Sequence, residues 1–296
     1  MEVVIAGAGA MGLLIGSYLA EAGMSVSFLT RREDQASELR DQGVTRIQND
    51  RAKTFQVAAF SDLASAPQKA MWILAVKSND LEGVVKKLEN HVLPEHLLFI
   101  QNGLRHYELG LSTSIPSVEA ASLTHGAGKI DDRTVIHNGI GVMSIASIKG
   151  SQKFSFPIFE ANSLAFPILH EKDAFQMLLR KVFVNCCINP LTAILELKNG
   201  ELLTNNYANH LMQVIYGELA AEYPEVAKKL SFSEVEEVCR RTANNRSSMF
   251  VDKTNQIPME IDTIISAILE GHEEKMPTLK LFETLLKAID ERKEYT

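Results

Sequence analysis

Lys181, Asn185 and Asn189 recur at i, i+4 and i+8, so a helix over this stretch aligns one ammonium and two carboxamides on a single face. Their neighbours Val182, Phe183, Val184 and Ile188 are apolar, which predicts a largely buried segment. Burial disfavours the charged form of an amine and lowers its pKa, and this is how a Lys is tuned for proton transfer. A Lys that snorkels beside two capping asparagines is the plainer alternative, but three polar groups in line favour chemistry. A second group is Gly7-Ala8-Gly9-Ala10-Met11-Gly12, a G-x-G-x-x-G that follows an apolar strand and opens a helix. There Gly7 permits the tight turn, Gly9 lets backbone approach a pyrophosphate and Gly12 lets helix and strand pack closely. The helix N-terminus faces the phosphates. A merely flexible glycine turn would need neither flanking element.

The end of the second strand reads on the kind of dinucleotide. NAD sites place Asp or Glu there, about 20 residues beyond the glycines, to bind the ribose 2′-hydroxyl. This chain has Thr30-Arg31-Arg32 instead, and guanidiniums match a 2′-phosphate in charge and geometry, which favours NADP with Arg31 as its ligand. One of the two arginines could be plain surface charge, and Glu33 dissents unless it lies in the first turn of the next helix. Lys77 and Asn102 each follow a strand, at the sheet edge where doubly wound folds bind ligands. Three further polar positions have ordinary explanations. Asn199-Gly200 reads as a left-handed helix C-cap, Asn245-Arg246-Ser247-Ser248-Met249 as a helix end and an N-cap, and Glu260 as a helix-start acid ahead of Ile261, Ile264 and Ile265.

Buried strands are expected at residues 3–6, 25–29, 71–76 and 97–100, separated by helices at 13–22, 31–42 and 81–88, which makes a parallel, doubly wound sheet. Residues 114–167 carry further, partly antiparallel strands, such as 134–137 and 140–145. Helical patterning then takes over at 175–188, 208–221, 233–242, 260–269 and 277–293. The 296 residues, 46% hydrophobic with net charge −7, suit two globular domains and argue against broad nucleic-acid binding. Cys186, Cys187 and Cys239 offer neither a relaxed disulfide nor zinc spacing, and no His, Cys and carboxylate cluster suggests a metal. The uncharged stretch 3–20 holds four glycines and has no preceding Lys or Arg, so it reads as strand, turn and helix rather than a signal or membrane segment.

In order along the chain, Gly7 to Gly12, Lys77-Ser78, Gln101-Asn102-Gly103, Lys181-x3-Asn185-x3-Asn189-Pro190-Leu191-Thr192-Ala193, Asn199-Gly200-Glu201, Asn245 to Met249 and Glu260-Ile261-Asp262 form a series that resembles the ketopantoate reductases. The resemblance implies an α/β fold, a Rossmann-type NADP-binding domain over 1–170 followed by an all-α substrate domain over 171–296, with the active site in the cleft between them. It implies NADPH-dependent reduction of 2-dehydropantoate to (R)-pantoate, a step toward pantothenate. Lys181 matches the family's general acid; Asn185, Asn189, Asn199 and Ser248, with Asn245 close by, match substrate positions. Lys77, Asn102, Ala127 and Glu260 match cofactor positions, Asn102 also meeting substrate, and Arg31 matches the 2′-phosphate ligand. Gly126 stands where the family often has Ala. Two alternatives remain: a related NADPH-dependent reductase of another small 2-keto acid, or a non-catalytic dinucleotide-binding regulator. The expected partner is a small keto acid, not nucleic acid or membrane, in the cytoplasm, with a homodimer left open.

Overall fold

The computed structural model describes residues 2–67, 69–150 and 156–291. Two compact units divide the chain: residues up to Gln101 together with His106–Met177, and Asn102–Arg105 together with residues from Leu178 onward. Through residue 173 the elements are β1 (Glu2–Ala6), α1 (Ala10–Glu21), β2 (Ser25–Leu29), α2 (Glu33–Gln42), β3 (Val44–Gln48), β4 (Arg51–Phe55), β5 (Ala58–Phe60), β6 (Met71–Leu74), α3 (Ser78–His91), β7 (His96–Phe99), α4 (Arg105–Ser112), β8 (Ser117–Leu123), β9 (Gly126–Lys129), β10 (Thr134–Gly139), β11 (Met143–Lys149) and β12 (Ile168–His170).

Eight strands form one sheet in the order β12-β11-β8-β7-β6-β1-β2-β5. From β8 to β5 all neighbours are parallel, and β11 runs antiparallel to β8, as the strand patterning led us to expect. Because side chains alternate across a strand, each run feeds two cores. Val3 and Ile5 of β1 join Leu13, Leu14 and Leu19 of α1, while Val4 and Ala6 join Leu81, Val85 and Leu88 of α3. A continuous apolar run is what a strand covered by helices on both faces requires.

A second sheet, β4-β3-β10-β9, was not expected from the sequence. Its β3–β4 hairpin turns through Asn49 and Asp50, both with positive φ (50° and 59°), a two-residue turn chemistry that only Asn, Asp and Gly adopt readily. Tyr18 of α1 reaches this sheet, its hydroxyl 2.9 Å from His137 Nδ1, and His137 Nε2 lies 3.2 Å from His125 Nδ1. Burial, aided by His137, pushes His125 down to about 4, so this pair packs as neutral rings.

Two glycines of the N-terminal motif are required by the protein itself. Gly7 has φ +106°, and a Cβ there would lie 2.8 Å from the Ala75 carbonyl oxygen. A Cβ on Gly12 would fall on the carbonyl oxygen of Gly7. Gly9 differs, since a Cβ there meets nothing within 4 Å.

The remaining elements are helical: α5 (Ala174–Leu195), α6 (Glu201–Thr204), α7 (Asn206–Glu222), α8 (Pro224–Ala227), α9 (Phe232–Arg241), α10 (Ser248–Thr254), a π-helical turn (Asp262–Ser266), α11 (Ala267–Leu269) and α12 (Pro277–Glu291). Arg292 and Lys293, the expected end of the last helix, lie outside the described residues. Val182, Phe183, Cys186, Met212, Ile215, Leu219, Ile265, Ile268, Leu279 and Leu286 make one core. Helix α5 is long and apolar enough to cross a membrane, but two-thirds of its most apolar window (67%) is buried inside the protein, so it is a core helix. It continues seven residues past Ile188 and contains Pro190, with Thr192 Oγ1 donating back to the Ile188 and Asn189 carbonyls at 3.0 Å. All three cysteines are free and buried, and burial raises each thiol pKa, which leaves them inert.

One expectation fails. Gly200 is right-handed (φ −67°, ψ −27°) and precedes α6, so it is not a left-handed cap. Glu196, at φ 58°, takes the left-handed position just after α5. Gly200 is instead a close-approach glycine, because a Cβ there would come 2.6 Å from the Ala243 Cβ.

These contacts separate the two roles of glycine. Gly12→Ala is expected to lower stability by at least ~1–3 kcal/mol through overpacking against backbone, whereas Gly9→Ala should unfold at the wild-type urea midpoint. Equal midpoints for the two variants would refute the assignment.

Candidate active site

On the first unit, a cleft of about 1740 Å³ is lined by Gly7, Ala8, Gly9, Thr30, Arg31, Gln35, Lys77 and Asp80 among others. It exceeds the ~300–1,000 Å³ of ordinary small-molecule pockets and has room for an extended ligand. The α1 N-terminus opens at Gly9, and no side chain caps it. Ala10, Met11 and Gly12 form its first turn, so their amide N–H groups are free for phosphate oxygens. At Gly9 the protein itself would admit a Cβ, so packing within the protein does not require glycine there.

The β2 end supports the reading from its arginines. Thr30 is buried, with its hydroxyl donating to the Arg32 carbonyl at 2.8 Å, so no acid occupies the position that NAD sites use. Arg31 is exposed in the cleft and pairs with Asp80 at 2.7 Å. Arg32 is held by Asp34 at 2.8 Å and by Asp132, which leaves Arg31 as the arginine facing the cleft. Glu33 does lie in the first turn of α2, tied to Arg40 at 2.6 Å and Ser61 at 2.5 Å. Lys77 is exposed immediately before α3 and lines the same cleft. Ala127 sits in β9, two residues from the lining residue Lys129. The residues present thus fit a 2′-phosphorylated dinucleotide.

Gln35 was not singled out from the sequence, and Gln101 entered only as part of the Gln101-Asn102-Gly103 string, with no role given to it. Buried Gln35 donates to the Ala8 carbonyl at 3.0 Å and to the Asp132 carbonyl at 2.8 Å, fixing the glycine turn. Gln101 donates to the Leu74 and Val76 carbonyls at 2.7 and 3.0 Å, holding the strand end that leads to Lys77. These roles were not legible in the sequence, since the carbonyls that each side chain holds are more than twenty residues away.

On the second unit the ionisable centre is Lys181. Lys181, Val184 and Asn185 are half-buried on one face of α5, while residues 186–193 are buried. Burial pushes the Lys181 ammonium down to about 8, and the Glu260 carboxylate opposes that shift. Glu260 accepts a hydrogen bond from Asn102 Nδ2 at 3.0 Å, so three residues far apart in sequence belong to one cluster. Gly103 (φ +91°) lies so close to Thr263 that a Cβ would strike its carbonyl, and Leu104 N donates to that oxygen at 3.2 Å. The π-helical turn containing Thr263 is fastened by Glu283. Burial alone would raise the Glu283 carboxyl, but hydrogen bonds from Lys280, Ser266 and Lys287 hold it at about 2. A turn this rare is found often at functional sites.

The two long polar strings also meet. Thr192 Oγ1 and Ser247 Oγ lie 2.7 Å apart in a hydrogen bond, and Ser247 caps α10 by accepting from Phe250 N at 3.1 Å. Asn199 N donates to the Asn245 carbonyl at 3.0 Å, and Asn199 Nδ2 to Thr242 Oγ1 at 2.9 Å. Asn199 Oδ1 is buried with no partner, a cost that a ligand donor would remove. Asn189 is buried, whereas Asn245 and Ser248 are exposed. Among the described residues no His, Cys, Asp and Glu group could hold a metal ion.

The chain is similar to known proteins in sequence and in fold. Residues 3–150 match the family model for ketopantoate reductase PanE/ApbA, and residues 173–293 match its C-terminal counterpart. A 2-dehydropantoate 2-reductase from Listeria innocua is 32% identical over 296 residues, covering 98% of this chain and 97% of the relative. A crystal structure titled as a probable 2-dehydropantoate 2-reductase panE from Bacillus subtilis is similar with a TM-score of 0.86 at 30% identity, covering 98% of this chain and 100% of that one. The ternary structure of D-mandelate dehydrogenase with NADH and anilino(oxo)acetate has a TM-score of 0.83 at 20% identity, covering 99% and 100%, a likeness of fold.

Glu260→Gln removes the carboxylate that opposes Lys181 deprotonation. The Lys181 titration is therefore expected to move below about 8, read by NMR of the labelled ammonium. An unchanged titration would separate the two residues electrostatically.

Proposed function

The chain belongs to the ketopantoate reductase family, and we propose that it reduces 2-dehydropantoate to (R)-pantoate with NADPH, in pantothenate biosynthesis, using Lys181 as the general acid. The observation that carries this reading is Lys181 itself, an amine brought to about 8 among apolar helices with Glu260 as its counter-charge. The three free, buried thiols suit a cytoplasmic setting.

NADPH, when bound, supplies the hydride for the keto carbon. Gly7, Ala8, Gly9 and the first turn of α1 at Ala10, Met11 and Gly12 would hold its pyrophosphate, with Arg31 and Lys77 at the 2′-phosphate end. Ala127, Asn102 and Glu260 are proposed as further cofactor contacts. Reduction builds negative charge on the keto oxygen, and Lys181 Nζ holds the proton that neutralises it. An ammonium near 8 is largely charged at neutral pH yet releases its proton more readily than an ordinary Lys. Glu260 keeps that charge affordable, and Asn102 keeps Glu260 in place. Asn185, Asn189, Asn199, Asn245 and Ser248 are proposed to bind the substrate, since amides and hydroxyls can donate to its carboxylate, ketone and hydroxyl without adding fixed charge.

The test is NADPH absorbance after adding 2-dehydropantoate, beside NADH and other 2-keto acids. Rapid loss with 2-dehydropantoate is expected; loss with a different keto acid alone would assign another substrate, and NADPH binding without any loss would point to a regulator. Lys181→Ala should bind NADPH normally and lose about 10²–10⁴-fold in kcat. Because the acid must be protonated, wild-type reduction should decline as pH rises through about 8. Near-normal turnover by Lys181→Ala would overturn the proton-donor role.

A further inference from the structure

The cleft contains a feature that the glycine motif and Arg31 do not account for. Asp80, in the first turn of α3, meets Arg31 with Oδ2 2.7 Å from Nη2. Both side chains are open to solvent, 81% exposed for Arg31 and 47% for Asp80. Three carboxylates line the cleft, and they differ in employment. Asp62 accepts from Ala64 N to cap its own turn, and Glu95 belongs to the loop before β7. Asp80 alone of the three is paired with the arginine expected to take a 2′-phosphate.

We infer that Asp80 sets the cofactor preference of this cleft, accepting the 2′-hydroxyl of an NAD-type ribose and opposing a 2′-phosphate, so that NADH is bound alongside NADPH. The inference rests on the dinucleotide reading of the cleft given above. A carboxylate that accepts the ribose 2′-hydroxyl is the usual mark of an NAD site, and it normally stands at the end of the second strand. Here that position is Thr30, whose hydroxyl is committed to the Arg32 carbonyl. The nearby acids of α2 are committed too, Glu33 to Arg40 and Ser61, and Asp34 to Arg32. The acceptor is supplied from α3 instead. An exposed ion pair shifts an equilibrium by about fivefold or less, so Arg31 can leave Asp80 for a phosphate at small cost. A phosphate drawn to Arg31 then lies beside the Asp80 carboxylate, and the like charges repel. A hydroxyl meets no such penalty, because Asp80 can accept it while its other oxygen keeps Arg31.

Calorimetric titration of the full chain with adenosine 2′,5′-bisphosphate and with 5′-AMP tests this without turnover. Asp80→Asn is expected to tighten the bisphosphate by about three- to tenfold and to weaken 5′-AMP, moving their ratio by about tenfold in favour of the phosphate. NADPH and NADH binding should follow the same order. Asp80→Ser, which removes the carboxylate with a smaller side chain, should move the ratio the same way. Arg31→Ala should move it oppositely, losing the bisphosphate about tenfold or more while sparing 5′-AMP. The inference is overturned if Asp80→Asn weakens the bisphosphate, since Asp80 would then only orient Arg31, or if the ratio stays within about twofold. A wild-type chain that binds neither probe overturns this inference and the dinucleotide reading together. One that binds both as expected yet reduces no keto acid overturns the proposed reaction and leaves Asp80 its role.

Discussion

An ammonium removed from water is stable only to the extent that a nearby anion offsets its lost hydration, and the second unit is organised around that constraint at Lys181. Helix α5 is apolar on most of its surface, which lowers the Lys181 pKa, and Glu260 limits the fall. Neither group would be useful if the other could drift. Glu260 is steadied by Asn102, and the π-helical turn just after it is fastened to α12 by Ser266, which donates to the buried Glu283, and by Asp262, which pairs with Lys287 at 3.3 Å. Residues 102–105 are held through Thr263, where the only side chain that fits at position 103 is a hydrogen atom. The segment carrying Asn102 thus groups with the helices rather than with the strands that precede it.

The first unit answers a different demand, the close approach of backbone to a phosphorylated ligand. Gly7 and Gly12 are required by protein packing, while Gly9 is bordered by open space. Three glycines of one motif therefore have two kinds of cause. Gln35 adds what the glycines cannot, a buried amide that pins the turn to the loop before β10. Charge is arranged just as locally. A chain with net charge −7 presents Arg31 and Lys77 at one cleft, so positive charge there is local and opposite in sign to the net charge of the molecule.

The fold does not choose the substrate. D-mandelate dehydrogenase, solved with NADH and anilino(oxo)acetate, has much the same fold at 20% identity. What distinguishes one such chain from another must lie in the side chains around the reacting groups and at the 2′ position of the ribose. This chain carries, among its own distinguishing side chains, Asn199 with its unpartnered Oδ1 and the pair Arg31–Asp80.

Most of the architecture was legible in the residues. Apolar runs such as 3–6 and 71–74 read as strands covered on both faces, and Lys181, Asn185 and Asn189 fall on one face of a helix, as they do in α5. These features are periodic or local, and local geometry follows from φ, ψ and the hydrophobic pattern. The second sheet was less legible, because its short strands mix polar and apolar residues and owe their order to α1 and Tyr18. Gly200 misled for a related reason: glycine signals either a left-handed turn or a close approach, and only the position of Ala243 decides which. The pairings Asn102–Glu260, Thr192–Ser247 and Arg31–Asp80 bridge 158, 55 and 49 residues. The sequence by itself determined the element types and the residues able to do chemistry. Which of those residues meet was decided by tertiary structure alone, because contact between distant side chains depends on how whole elements pack.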